Sequence, residues 1–276
     1  MTKPLTEPPK APPEAVELPL EPPLEKDVLV SLRGVGKTFA NSVTALAGLN
    51  LDVREGEFLS LLGPSGCGKS TVLRLIAQLT NPSAGRIEWR SGRPEIGFVF
   101  QEPTLMPWAT VYSNVFLPLR FRGAFSPQAK HKVEDALARV GLSKFAKAYP
   151  RELSGGMKMR VSIARALVLR PPLLLMDEPF AALDEITRLS LNDDLVQLKA
   201  SLGSTIIFVT HSVYESVYLS TRIVVMAARP GRVFADIPIQ TSAIRNEEFR
   251  LSPFYAQRCR ETSLALHQAM GDKLIS

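Results

Sequence analysis

The sequence predicts an α/β protein built on a largely parallel β-sheet, interrupted by a mainly helical insertion, and three observations carry that prediction. A five-residue apolar run at 58–62 leads into GPSGCGKST at residues 63–71 and then into a helix-period run, the strand, loop and helix order that the pattern G-x-x-x-x-G-K-[ST] requires. Further strand-sized apolar runs alternate with helical patterns, which implies a parallel sheet flanked by helices. Between Gln101 and Gly156 that alternation stops, and the stretch opens instead on Pro103, Pro107, Trp108 and Pro118.

The elements follow in order. From Asp27 apolar residues alternate at Val28, Val30 and Leu32, and a second group, Leu46, Leu49, Leu51 and Val53, precedes the turn at Glu55-Gly56; both read as strands ahead of the glycine loop. After the loop, Val72, Leu75, Ile76 and Leu79 recur at helical spacing, and the helix is expected to stop near Asn81-Pro82. Strands are expected at 96–100, 173–176, 205–209 and 223–226, and a long helix at 185–202 closed by Gly203. The insertion, about residues 102–160, holds a helical stretch around 130–140, and weak helical periodicity marks a C-terminal extension at 241–276.

At 276 residues, 45% hydrophobic and 22% charged, the chain is long enough for one large domain or a domain with a subdomain. No apolar run approaches the roughly 18 residues that a membrane-spanning helix needs. The first 26 residues hold eight prolines and five glutamates without an apolar segment, so they read as a disordered or polyproline-like tail and not as a secretory signal. Two cysteines, Cys67 and Cys259, are too few for a disulfide framework or a zinc site, and a reducing cytosol is the simple reading. Cys67 is a small filler within the loop or, alternatively, a thiol whose modification would block it. The net charge of +6 is compatible with nucleic acid, with an anionic membrane surface, or with no specific partner, and the basic residues are dispersed.

The chemistry begins in the loop. Gly63, Pro64, Ser65, Gly66, Cys67, Gly68, Lys69, Ser70 and Thr71 form a phosphate cradle: the glycines let successive N–H groups converge on phosphate oxygens, and the following helix points its positive end at them. Lys69 supplies a point charge for the terminal phosphates, and the Ser70 hydroxyl suits Mg²⁺. LLLMDE at 173–178 is an apolar strand ending in two acids. Asp177 there suits the Mg²⁺ shell, leaving Glu178 to polarise a water for in-line attack.

A second glycine turn, LSGGM at residues 153–157, is followed by an apolar helix carrying Arg160 and Arg165. With the cradle and LLLMDE in this order, residues 28–240 resemble the nucleotide-binding subunits of ATP-binding cassette (ABC) transporters, LSGGM looking like their signature motif. The resemblance implies a P-loop NTPase (RecA-like) core, an antiparallel β subdomain and an inserted helical signature subdomain, within an ATP-binding domain at 27–240. It implies ATP and Mg²⁺ as cofactors, Phe39 as the ring on adenine, and Gln101 as a Mg²⁺-sensing residue facing the helical subdomain. Ala182-Leu183-Asp184 is similar to the family's D-loop, and His211 to its switch histidine on the γ-phosphate. For Phe39 core packing, and for Asp184 a helix cap, are the alternatives.

The resemblance also implies that Ser154, Gly155 and Gly156 of one copy close over the nucleotide of another, so that the unit is a homodimer with ATP between its faces. Met157 departs from the family, whose signature ends in glutamine, and so removes an amide from that turn. Residues 101–108 are expected to dock a membrane permease, although Leu105, Met106 and Trp108 could instead fill the subdomain's core. This stretch and Arg229-Pro230-Gly231-Arg232-Val233 look similar to the importer subfamily for nitrate, sulfonates and taurine. That implies a peripheral protein on the cytoplasmic face of a bacterial inner membrane, with an extracytoplasmic substrate-binding protein and no nucleic acid as partner. Against it stand a soluble ABC ATPase acting on DNA or ribosomes, which would carry coiled-coil arms or a second cradle, and a small-molecule kinase, which leaves LSGGM unexplained.

Overall fold

The computed structural model describes residues 27–241 and 244–271; the expected Pro-rich tail at 1–26 lies outside them. The strands are β1 (Val28–Thr38), β2 (Thr44–Arg54), β3 (Phe58–Leu62), β4 (Ala84–Trp89), β5 (Ile96–Val99), β6 (Leu173–Asp177), β7 (Thr205–Thr210), β8 (Arg222–Ala227) and β9 (Arg232–Pro238). The helices are α1 (Lys69–Ile76), α2 (Val111–Phe121), α3 (Pro127–Arg139), α4 (Gly155–Leu167), α5 (Glu185–Leu202), α6 (Val213–Leu219), α7 (Glu247–Leu251) and α8 (Pro253–Gly271).

Continuous apolar sequence makes the central sheet. Every residue of β3 (FLSLL), β6 (LLLMD) and β7 (TIIFVT) is buried, as strands covered on both faces must be. They lie in the order β5-β6-β7-β3-β8-β9, with β5 through β8 parallel and β9 antiparallel at the edge. Alternation makes the other sheet: β1 buries Val30, Leu32 and Val35 completely and pairs antiparallel with β2 and β4, in the order β2-β1-β4. The α/β core, the antiparallel sheet and the helical insertion therefore stand as the sequence predicts.

Three details differ from the expectation. Strands β4 and β9 carry no buried alternation, being half or fully exposed along their length; pairing to β1 and β8 places them, and pairing leaves no mark in composition. Helix α2 lies inside the helical insertion but ahead of its expected helical stretch at 130–140, and runs through Pro118; its N-terminus is set by Thr110, whose hydroxyl accepts from Ser113 N. Helix α1 ends at Ile76, before Asn81-Pro82: the Arg93 guanidinium donates to Ala77 O at 2.7 Å and to the Gln78 side chain, and Gln78 turns to φ 57°. Helix α5 matches its expected span, with Asp184 at its N-cap and Gly203 closing it in the left-handed conformation.

Candidate nucleotide site

Parallel strands bring their carboxyl ends to one edge, and that edge gathers the cradle, Gln101, Asp177, Glu178 and His211, while Phe39 follows β1 of the other sheet and Ser154, Gly155 and Gly156 open α4. β3 delivers the cradle. Asp177 ends β6, with Glu178 next; Val209 of β7 lies opposite Asp177, so His211 follows one residue past the strand end. Gln101, which is exposed, sits two residues past β5.

In the cradle Gly68 turns the chain at φ 91° into α1, a left-handed conformation that costs glycine little. The Lys69 ammonium is only 4% exposed, held by Gly63 O at 2.8 Å and Pro64 O at 3.1 Å and lying 3.5 Å from Glu178 Oε1. Its long stem is therefore preset at the loop's mouth. Ser70 Oγ donates to Asp177 Oδ1 at 2.7 Å. Burial raises the Asp177 pKa above its ordinary 3.8, against the pull of the Ser70 hydrogen bond and of Arg74 and Lys69. A hydroxyl and a buried carboxylate side by side are the hard oxygen donors Mg²⁺ takes when phosphates fill the rest of its shell, so this pair fits the ion. Cys67 is fully buried and burial pushes its thiol up from 9.0, which agrees with the filler reading and disfavours a reactive thiolate.

Glu178 occupies a left-handed φ of 45°, a strained conformation for a side-chain-bearing residue. Its N–H donates to Val209 O at 3.1 Å, and its Oε2 lies 3.5 Å from Nδ1 of the half-exposed His211. One carboxylate thus bridges the lysine and the histidine.

Phe39 lies just past β1, 40% exposed, with the Lys37 ammonium 5.4 Å from its ring centre, so the ring is not part of the core. Ser154 is the N-cap of α4, its Oγ accepting from Met157 N at 3.3 Å, and both Ser154 and Gly155 are exposed. The turn abuts Leu183 and Thr187. Asp184 caps α5 through Thr187 N at 3.0 Å, a bond that lowers its pKa, so the helix-cap reading holds for it.

Three supporting residues escaped the sequence. Gly231 packs on the cradle: a Cβ there would lie 2.2 Å from Cys67 O and 2.8 Å from Ala45 O, and its N–H donates to Ala45 O. Asn114, fully buried in α2, holds the loop before it through Met106 N and O, Ala109 O and Thr110 O. Arg165 of α4 reaches Pro103 O and Thr104 O at 2.8 Å, tying the helix of the LSGGM turn to the loop after Gln101. The only signal available for any of them was residue type: Gly231 and Arg165 act across long sequence separations, and Asn114, though its partners lie four to eight residues before it, follows no helical or strand period in doing so.

A phosphate loop beside a strand that ends in two acids marks the class as the phosphate-loop nucleotide hydrolases. Comparison with known proteins narrows it. The family model described as ABC transporter matches residues 46–181. The aliphatic sulfonates import ATP-binding protein SsuB 1 of Pseudomonas savastanoi is 43% identical over 244 residues, 87% of this chain and 97% of that protein. SsuB of Bacillus subtilis is 46% identical over 209 residues, 74% of this chain and 80% of its own length. Among solved structures, the dimeric post-hydrolysis state of the ATP-binding cassette MJ0796 bound to ADP and Pi superposes with a TM-score of 0.69 at 35% identity, covering 77% of this chain and all of that one. The chain belongs to the ABC transporter family, as one of its ATP-hydrolysing cassettes.

Proposed function

We propose that this chain is the ATP-binding and hydrolysing subunit of an importer for a small anion, with an aliphatic sulfonate favoured over nitrate or taurine. The observation that carries the substrate class is the similarity to proteins named for aliphatic sulfonate import over nearly their whole length. No helix among the described residues is long and apolar enough to cross a membrane, so translocation needs a separate integral membrane permease. The exposed Trp108 is the anchor offered to it, and an extracytoplasmic binding protein would present the anion from the other side, placing this subunit on the cytoplasmic face of the bacterial inner membrane.

Residues 27–240 act as the ATP-binding unit, with the helical arm at about 102–160 carrying the signature turn and the segment from 241 as an extension. Phe39 stacks on adenine. The loop of Gly63, Pro64, Ser65, Gly66, Cys67, Gly68 and Thr71 surrounds the phosphates, donating through its N–H groups at every position but the proline, and the ammonium of Lys69 joins them. Ser70 and Asp177, with Gln101 beyond β5, would hold Mg²⁺, which would supply positive charge against the phosphates. Glu178 orients the attacking water as general base, and His211 steadies the γ-phosphate from the other side of that carboxylate. Ser154, Gly155 and Gly156 of a second copy close over the nucleotide, so ATP favours the closed dimer and hydrolysis releases it. The dimeric cassette of similar fold supports this arrangement.

Replacing Glu178 with Gln keeps the binding surface and removes the base. The variant should form a dimer that ATP stabilises, read by light scattering after size exclusion. A strictly monomeric variant at saturating ATP would sink the dimer cycle.

A further inference from the structure

We propose that the C-terminal segment 244–271 clamps helix α6 and so sets the position of His211, with Arg245 and Tyr255 as positioning residues for ATP hydrolysis. The inference rests on the reading of His211 as the γ-phosphate contact.

Helix α6 has seven residues, too few to hold itself in water, so its place is set by what grips it. His211 stands two residues before it, inside a stiff turn. Ser212 N donates to Thr210 Oγ1, Thr210 Oγ1 donates to Glu215 Oε2, and Glu215 N donates to Ser212 Oγ. That network joins the turn to the first residues of α6, so a shift of the helix carries the imidazole with it.

The C-terminal segment grips both ends. At the far end, where a helix leaves carbonyls without intrahelical donors, Arg245 Nη1 donates to Val217 O at 2.6 Å and Tyr218 O at 2.7 Å, and Nη2 to Ser220 O at 2.9 Å. A cation at a helix C-terminus is also favoured by the helix dipole. The guanidinium is held in turn over the Phe249 ring, 4.6 Å from its centre. The Tyr218 hydroxyl lies 2.9 Å from Arg245 O, its single proton directed to the nearer Asp193 Oδ1 at 2.5 Å. At the near end the buried Tyr255 of α8 donates its hydroxyl to Tyr214 O at 3.1 Å. Arg245 and Tyr255 both lie past β9, so the clamp belongs to the C-terminal extension.

The test is steady-state ATP hydrolysis by the full chain. Arg245→Ala should lower kcat by about tenfold with KM for ATP within about twofold, since misplacing a catalytic group costs turnover and leaves ground-state binding alone. Arg245→Lys, which still donates to the carbonyls, should recover part of the loss. Tyr255→Phe removes one hydroxyl and should cost about threefold, and it serves in place of Arg245→Ala if that variant fails to fold. The deciding readout is the double variant with His211→Ala: if the clamp acts through His211, Arg245→Ala or Tyr255→Phe adds nothing to the loss from His211→Ala. An unchanged kcat in both clamp variants, or a loss that multiplies fully with that of His211→Ala, overturns the clamp. If His211→Ala itself leaves kcat intact, the reading of His211 fails first.

Discussion

Met157 shows how a departure from a family pattern is judged by where its side chain goes. The residue is half-buried and packs against the main hydrophobic core, while its N–H is taken by Ser154 Oγ. In the proposed dimer, what the turn would offer a partner's nucleotide is the Ser154 hydroxyl and the N–H groups at the start of α4, and none of these passes through the side chain at 157. Met157→Gln should therefore change the ATPase rate less than about tenfold, because the amide adds at most one hydrogen bond at the edge of the site. A larger gain would show that the native turn is impaired as it stands. The residues of the cradle were legible in the same local sense: Gly63 through Thr71 form a site by backbone shape and spacing within nine residues, which sequence displays directly. Gly231 was not legible as part of that site, since its role is to leave room for Cys67 O from 164 positions away.

Elements were legible where burial drives them. β3, β6 and β7 are apolar throughout because both faces are covered, whereas β4 and β9 are held by backbone pairing and α2 by its cap and the side chain of Asn114, none of which gives a periodic signal. Helix α6 carries a prediction of its own. Glu215 is 7% exposed, its Oε1 is buried without a hydrogen-bond partner, and burial raises its pKa above 4.5 against the Thr210 hydrogen bond, Arg188 and His211, with Glu185 adding to the rise. A carboxyl that binds its proton more tightly folded than unfolded contributes most below 4.5, and that contribution is lost as pH rises through the raised value. At neutral pH the charged form is thus a cost to the fold. Glu215→Gln, which can still accept from Thr210, should raise Tm at pH 8 by about 2–4 °C, the shift expected for ~1 kcal/mol in a protein of this size. Its advantage should shrink as pH falls toward 5. A lower Tm at pH 8 would mean that the attraction of Arg188 and His211 outweighs burial.

At the scale of the whole molecule, one loop joins the nucleotide edge to the proposed permease contact. Gln101 begins it past β5; Arg165 fixes its first half to α4 through Pro103 O and Thr104 O; Asn114 fixes its second half to α2. Leu105 turns inward and packs on the core, while Trp108 stands 77% exposed between the two anchors. The sequence showed the apolar character of this stretch but not how it divides, because inward and outward residues follow no helical or strand period here. An indole held out on a braced loop can serve as an interface anchor, a role in which tryptophan commonly contributes 2 kcal/mol or more, about a thirtyfold change in affinity. Trp108→Ala should accordingly weaken binding to the detergent-solubilised permease by about that factor and reduce anion uptake in reconstituted vesicles. The ATP-stabilised dimer of the Glu178→Gln background should persist, because Trp108 lies seven residues along the loop from Gln101 and is not among the residues proposed to meet ATP. Should uptake and permease affinity stay at the level of the unsubstituted protein, Trp108 is not the anchor and the contact with the permease lies elsewhere on the helical arm.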